Sequence, residues 1–299
     1  MANAIGRKEM EFKKDTFKIV QFTDTHFGNL PSCLEDNRTF DLIDKIIKDE
    51  EPDLIVHTGD IIFSHGVKDP DKVFENVMQA FDKYDIAFAI TFGNHDSEEG
   101  TSRAELRAIY DRIIREKADK EDVFIINDRE NYVIPLRDKG EDLAYLYLID
   151  SGEDDRSGIG TYEWLLPEQV DWFRKTSEKY KKNDGIKRNI IFQHMPLPEY
   201  WESMNNIISG EQRETNEAIS APKINTGLFA NMVLNGESWG MIVGHDHENN
   251  FDSTLFDIHL AYANTSGYQA YGDLDKGATV IEISKDPFAI SLRNIQINE

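Results

Sequence analysis

Five times along this chain a strand-sized apolar run stops at a short polar word, and that cadence limits the folds open to it. Phe17-Lys18-Ile19-Val20-Gln21-Phe22 runs into Asp24-x-His26, and Asp53-Leu54-Ile55-Val56-His57-Thr58 runs into Gly59-Asp60. Ile86 to Ile90 leads to Gly93-Asn94-His95-Asp96, Asn189 to Gln193 leads to His194, and Trp239 to Val243 leads to Gly244-His245-x-His247. Short runs of β-branched and aromatic residues read as buried strands. Helical spacing separates the first three. Phe40, Leu42, Ile43, Ile46 and Ile47 follow an Asp36 N-cap and stop before Pro52, and Val73, Phe74, Val77, Met78 and Phe81 share one face from about Asp71 to Tyr84. Strand, helix, strand, helix, strand implies right-handed crossovers and a parallel sheet. The polar words then sit at the carboxyl ends of the strands, where open α/β sheets bind ligands.

The rest of the chain is more mixed. Arg103 to Lys117 reads as a helix, and Val123–Ile126, Tyr132–Leu136 and Leu143–Ile149 as three strands. A polar loop covers Ser151 to Gly160, and Pro167 opens a helix carrying Val170, Phe173 and Tyr180. Residues 199–226 form a long polar stretch with little periodicity, a candidate lid over a site. Apolar runs around Leu255–Ala263, Thr279–Ile283 and Ala289–Ile295 read as mostly antiparallel strands. Without an internal repeat or linker, the expectation is one α/β domain over 1–299, its first 16 residues polar. This pattern does not separate a doubly wound sheet from two stacked sheets.

Charge narrows the partners. Lys+Arg 33 against Asp+Glu 56 gives a net −23, which disfavours nucleic acid and anionic membranes. Phosphate substrates remain open if bound cations reverse the sign locally. Cys33 is the only cysteine, so no intrachain disulfide is possible and a reducing compartment is favoured. The opening Met1 to Asp15 is too polar for a secretory leader, and no apolar run approaches the ~20 residues of a spanning helix. The expectation is a cytoplasmic protein acting away from membranes, its oligomeric state open.

Collected, the strand-end words offer Asp24, His26, Asp60, Asn94, His194, His245 and His247. This carboxylate, imidazole and amide set suits two first-row divalent ions with positions left for water and substrate. Asp60 is the natural bridge, since a carboxylate can give one oxygen to each ion. Two ions ~3.5–4 Å apart form a clamp for in-line displacement at phosphorus. His95, beside Asn94, can serve as acid or base. His57 and His259 lie inside strands and read as structural. His65 follows Asp60 in a loop and reads as solvated.

The five blocks in this order resemble the calcineurin-like metallophosphoesterase superfamily, from roughly Lys18 to the C-terminus. The closer likeness is to the purple-acid-phosphatase-related (Dcr2-type) phosphatases. It rests on His194-Met195-Pro196-Leu197-Pro198-Glu199-Tyr200, Asn225-Thr226-Gly227, Gly267-Tyr268 and Tyr271-Gly272. The resemblance implies a four-layer fold, a two-sheet β-sandwich flanked by helices. It implies one ion on Asp24, His26, Asp60 and His247, and another on Asp60, Asn94, His194 and His245, the metals being Mn, Fe or Zn. His95 would stand at the leaving-group oxygen and, with Asn94, touch substrate. The implied activity is hydrolysis of a small phosphorylated substrate by a metal-bridging hydroxide, a phosphomonoester favoured. A phosphodiesterase acting on a cyclic nucleotide or similar is the alternative, and a catalytically silent scaffold the reading from another class. Arg213 and Lys223 in 199–226 could grip a phosphate, and Tyr200 and Trp201 could stack on a base or sugar. Two departures stand out. Purple acid phosphatases carry Tyr where this chain has Phe63, so no tyrosinate colour is expected. The superfamily's Ser/Thr phosphatases carry Asp-Arg where this chain has Phe63-Ser64, which leaves His95 without its usual orienting partner.

Overall fold

Period-two alternation inside the first strands decides the layering. In Thr16–Phe22, Phe17 and Ile19 point into one core while Val20 and Phe22 point into another. Leu54–Thr58 divides Leu54 and Val56 from Ile55, and Ala87–Thr91 divides Ala87 and Ala89 from Phe88 and Ile90, in the same sense. The three strands pair in parallel, Ile19 against Leu54 and Leu54 against Ala87. The connecting helices Leu34–Glu50 and Pro70–Asp82 cover the outer core with Leu42, Ile43, Ile46, Val73, Phe74 and Val77. Each such fully buried side chain contributes about 1.5–3 kcal/mol. The first helix begins earlier than its sequence suggests. Cys33, not Asp36, is the N-cap: its sulfur accepts from the Asp36 N–H at 3.5 Å, and the Asp36 carboxylate accepts from the Cys33 N–H at 3.1 Å. Asp36 thus fills the other half of a reciprocal capping box.

The computed structural model describes residues 7–215 and 217–297. Its first sheet has seven strands in the order Arg7–Lys8, Lys117–Ala118, Ala87–Thr91, Leu54–Thr58, Thr16–Phe22, Gly277–Lys285 and Phe288–Gln296. A second, nine-stranded sheet is centred on Ile258–Tyr262, Ser238–Val243, Asn189–Phe192, Glu141–Leu148 and Arg129–Asp138. Ile134, Leu146, Leu148, Ile190, Phe192 and Ile242 of this sheet meet Ile19, Leu54, Val56 and Ala89 of the first in the central core. Its other face, with Tyr147, Ile191, Met241 and Val243, is covered by helices Pro167–Tyr180 and Leu228–Asn235. Helix, sheet, sheet, helix is the four-layer sandwich, not a doubly wound sheet.

Three expectations change. The helix from Arg103 ends at Ile113 because Lys117–Ala118 is drawn into the first sheet. Ile258–Tyr262 is antiparallel to Asp252–Leu255 but parallel to Ser238–Val243, so the C-terminal strands are mixed in direction. The described part of 199–226 contains regular structure. It holds the short helix Tyr200–Ser203, the edge strand Ile207–Ser209 and a buried Ile219, and its Ser220 N–H donates to Asp246 at 3.0 Å. Among the described residues no helix is long and apolar enough to cross a membrane.

Candidate metal centre

All five polar words lie just past the carboxyl ends of parallel strands, three from the first sheet and two from the second. The site therefore straddles the edge where the sheets face each other. Its backbone is bent hard there. Asp24 (φ 54°), His26 (49°), Asp60 (49°) and His245 (78°) all adopt the left-handed region, which side-chain-bearing residues occupy only under constraint. The constraint is visible. Asp24 N–H donates to Gly59 O at 3.1 Å and His26 N–H to Asp60 O at 3.0 Å. The buried Asp96 carboxylate accepts from the N–H groups of Asp60 (2.9 Å), Ile61 (2.9 Å), Ile62 (3.0 Å) and Gly93 (2.7 Å). Gly93 and Gly244 let the chain come close: a Cβ would lie 2.1 Å from Asp60 Oδ1 at the first and 2.1 Å from Thr23 Oγ1 at the second.

Two groups of side chains converge and share Asp60. Asp24, His26, Asp60 and His247 form one, and Asp60, His194 and His245 the other, with ligand-capable atoms of each within 4.8 Å of one another. Asp60 Oδ2 is 3.2 Å from His194 Nε2 and 3.5 Å from His26 Nε2, while Asp60 Oδ1 accepts from the His95 N–H at 2.9 Å. His247 Nε2 lies 3.3 Å from Asp24 Oδ1. His194 Nδ1 is 3.0 Å from Thr58 O. A carbonyl can only accept, so Nδ1 carries a proton and Nε2 is the nitrogen turned towards Asp60. Asn94 follows the Gly93 that packs on Asp60: its Nδ2 donates to Asp154 Oδ1 at 3.2 Å, and its buried Oδ1 has no hydrogen-bond partner. A buried amide oxygen without a partner is costly unless something positive meets it. The ring nitrogens of His26 and His247 stand 3.2 Å apart, and those of His194 and His245 3.3 Å. Lone pairs and carboxylates gathered out of water in this way fit two cations.

Electrostatics agrees with that fit. Burial opposes ionisation of Asp24 and Asp60, yet the neighbouring imidazoles hold both below the usual carboxylate range. Burial pushes His26 and His245 down to about 3, leaving them neutral donors. His194 moves the other way: burial is outweighed by the Asp60 and Asp24 carboxylates, which push it up to about 9. The cluster borrows positive charge from a proton where metal ions would supply it, and binding them would release that proton.

Some partners were not legible. Glu98, three residues beyond His95, places Oε2 2.8 Å from His95 Nδ1, a close ionic contact without hydrogen-bond alignment. It gives His95 the acidic neighbour that Phe63-Ser64 does not supply. Burial is outweighed by Asp60 and Glu98, which push His95 up to about 9. Ser64 Oγ donates to His95 O at 2.7 Å and accepts the Glu98 N–H at 2.9 Å, fixing the turn. Behind it the buried Arg103 guanidinium binds Asp150 (2.8 Å), Glu153 (2.7 Å), Gly93 O (2.9 Å) and Gly152 O (2.8 Å). Other singled-out residues lie apart. His57 rests 3.0 Å from Thr25 Oγ1, His259 binds Asp252 and stacks on Trp239, and His65 is exposed beside Glu99. Tyr200 is a packing residue bonded to Met241 O, and Arg213 pairs with Glu211; with Trp201 and Lys223, both lie outside the wall of the cavity over the cluster. That cavity holds about 500 Å³ and is walled by His26, His95, His245, His247, Phe63 and Tyr271 among others.

Residues 17–249 match the family model described as calcineurin-like phosphoesterase. An Arabidopsis thaliana protein named probable inactive purple acid phosphatase 29 is 30% identical over 89% of this chain and 76% of its own length. The phosphatase DCR2 of Saccharomyces cerevisiae is 26% identical over 86% of this chain but only 49% of its own length. In fold, a dimetal phosphatase from Danio rerio superposes with a TM-score of 0.66 at 12% identity, covering 94% of this chain and 96% of that one.

Proposed function

The chain belongs to the calcineurin-like phosphoesterase family, and from that premise we propose that it is a two-metal hydrolase of phosphoric esters acting on a small substrate. Asp24, His26, Asp60 and His247 would hold one ion, and Asp60, Asn94, His194 and His245 the other. The observation that carries this reading is the partnerless buried Asn94 Oδ1 beside two donor groups joined through Asp60. Such ions supply Lewis acidity towards phosphate oxygens and make bound water more acidic. The chain's own residues do the rest. His95, about a quarter exposed on the cavity wall, reaches the leaving-group side with a proton, and Glu98 holds the ring and balances its charge. Asp96 and Arg103 keep the Asp60 and Asn94 turns in place while the ester binds.

The test is release of p-nitrophenol from aryl phosphate esters by the Mn²⁺-loaded protein. Turnover is expected, abolished by chelation and lowered about 10²–10⁴-fold in His95→Ala, the usual range for losing a positioned acid or base. A protein shown to hold two ions yet inert towards every ester would sink the reading. It would favour instead a silent binding module, the reading that the name of the Arabidopsis relative brings to mind. Against that module stands the full donor set with His95 in place.

Two further outcomes follow from the geometry. Elemental analysis should find two ions per wild-type chain and about one in His245→Ala, since that ring serves only the Asp60, His194 group. Two ions retained would place His245 outside the donor set. Glu98→Gln should lower kcat about tenfold with KM and metal content little changed. An unaltered kcat would leave the 2.8 Å contact without a catalytic consequence.

A further inference from the structure

The wall of the cavity is unusual for a phosphate site. Among the described residues it contains no lysine or arginine. The buried Lys276 gives its ammonium to the carbonyl of Tyr271, a residue of that wall, at 3.2 Å. Asp246 adds a carboxylate to the wall, and its buried Oδ1 has no hydrogen-bond partner. In place of cationic side chains stand three aromatic rings, each against one imidazole of the cluster. Tyr271 lies with its ring centre 4.2 Å from His247, Tyr162 4.5 Å from His245, and Phe63 4.8 Å from His95. Tyr271 is 54% and Phe63 36% exposed, so both keep a face free. Gln269 and Asn29 add amides to the same wall.

A doubly charged monoester gains most from fixed cations and least from rings. A singly charged diester needs less positive charge and brings a second substituent that must be accommodated. On the reading of this site as a phosphoester hydrolase, we infer that its substrate class is a phosphodiester bearing at least one flat aromatic or heteroaromatic group, seated between Phe63 and Tyr271. The cavity volume of about 500 Å³ accommodates such a molecule. A water oxygen bonds to phosphorus as the P–O bond to the leaving group breaks. The leaving oxygen takes the His95 proton, and the proton given up by water restores it, so one monoester and one alcohol leave. Phe63, at the place held by Tyr or Asp in related enzymes, then acts as a recognition surface.

The test uses the Mn²⁺-loaded chain. The kcat/KM for bis-p-nitrophenyl phosphate should exceed that for p-nitrophenyl phosphate by up to about tenfold, the upper end of the scale of one aromatic contact. Tyr271→Leu and Phe63→Leu should each narrow the preference for bis-p-nitrophenyl over methyl p-nitrophenyl phosphate, with metal content unchanged. A monoester turned over as well as or better than the diester overturns the inference while leaving the hydrolase standing. So does a preference that neither variant moves. Absence of turnover with every ester overturns the hydrolase reading itself, and this inference with it.

Discussion

Asp60→Asn should cut turnover by about 10²–10³-fold or more, the scale expected when a group that stabilises transition-state charge is removed, while the fold persists. The substitution keeps the shape and one oxygen but removes the charge. It also turns an N–H₂ towards Oδ2's present neighbours, His194 Nε2 at 3.2 Å and His26 Nε2 at 3.5 Å, or towards the His95 N–H that now donates at 2.9 Å. Asp60 is the one residue common to both donor groups, so its loss weakens both at once. The backbone is secured separately, by Asp96 accepting from Asp60 N–H and its two successors. Steady-state kinetics, elemental analysis and a thermal melt together decide the matter. A variant holding two ions with near-native kcat would show that no ion is shared through this carboxylate.

The second large effect is on stability. Arg103→Met should cost about 3–5 kcal/mol, the usual consequence of removing one partner from a buried charge pair. Methionine fills most of the volume but leaves Asp150, itself buried, without its cation and two carbonyls without donors. At about 2 °C per kcal/mol for a domain of this size, the melting temperature should fall roughly 6–10 °C. Arg103→Lys should recover only part of this, because an ammonium cannot span the fork of Asp150, Glu153, Gly93 O and Gly152 O. Because Gly93 precedes Asn94, kcat should suffer before the chain unfolds. A melting temperature within 2 °C of the parent would contradict the role (an order-of-magnitude threshold of about 1 kcal/mol).

What could be read from the sequence divides along physical lines. The strands ending at Asp24, Asp60, Asn94, His194 and His245 were legible because short apolar runs and polar strand ends are local signals. Layering came only through the family resemblance, because Ile19 and Val20 are both apolar and their alternation has no polar member to reveal two opposite cores. The direction of Ile258–Tyr262 depended on Ser238–Val243 being its neighbour, which no local window contains. Asp36 looked like an N-cap because aspartate is a preferred one, yet cysteine three residues earlier took the place and left it the reciprocal half of the box. Asp96 was given no role from the sequence, yet it clamps four backbone N–H groups. Glu98 carried a weak signal, an acid three residues past a histidine, which only the Ser64-pinned turn makes meaningful.

The donors come from both halves of the sandwich. Asp24, His26, Asp60 and Asn94 follow strands of the first sheet, and His194, His245 and His247 follow strands of the second. Either ion would draw on both, one through His247 and the other through His194 and His245. Metal so placed works as a rivet through the seam of the molecule as well as a reagent. Stripping it would free the sheets to part first at this edge, so that the resistance of the sandwich to opening and its readiness to do chemistry would rise and fall together.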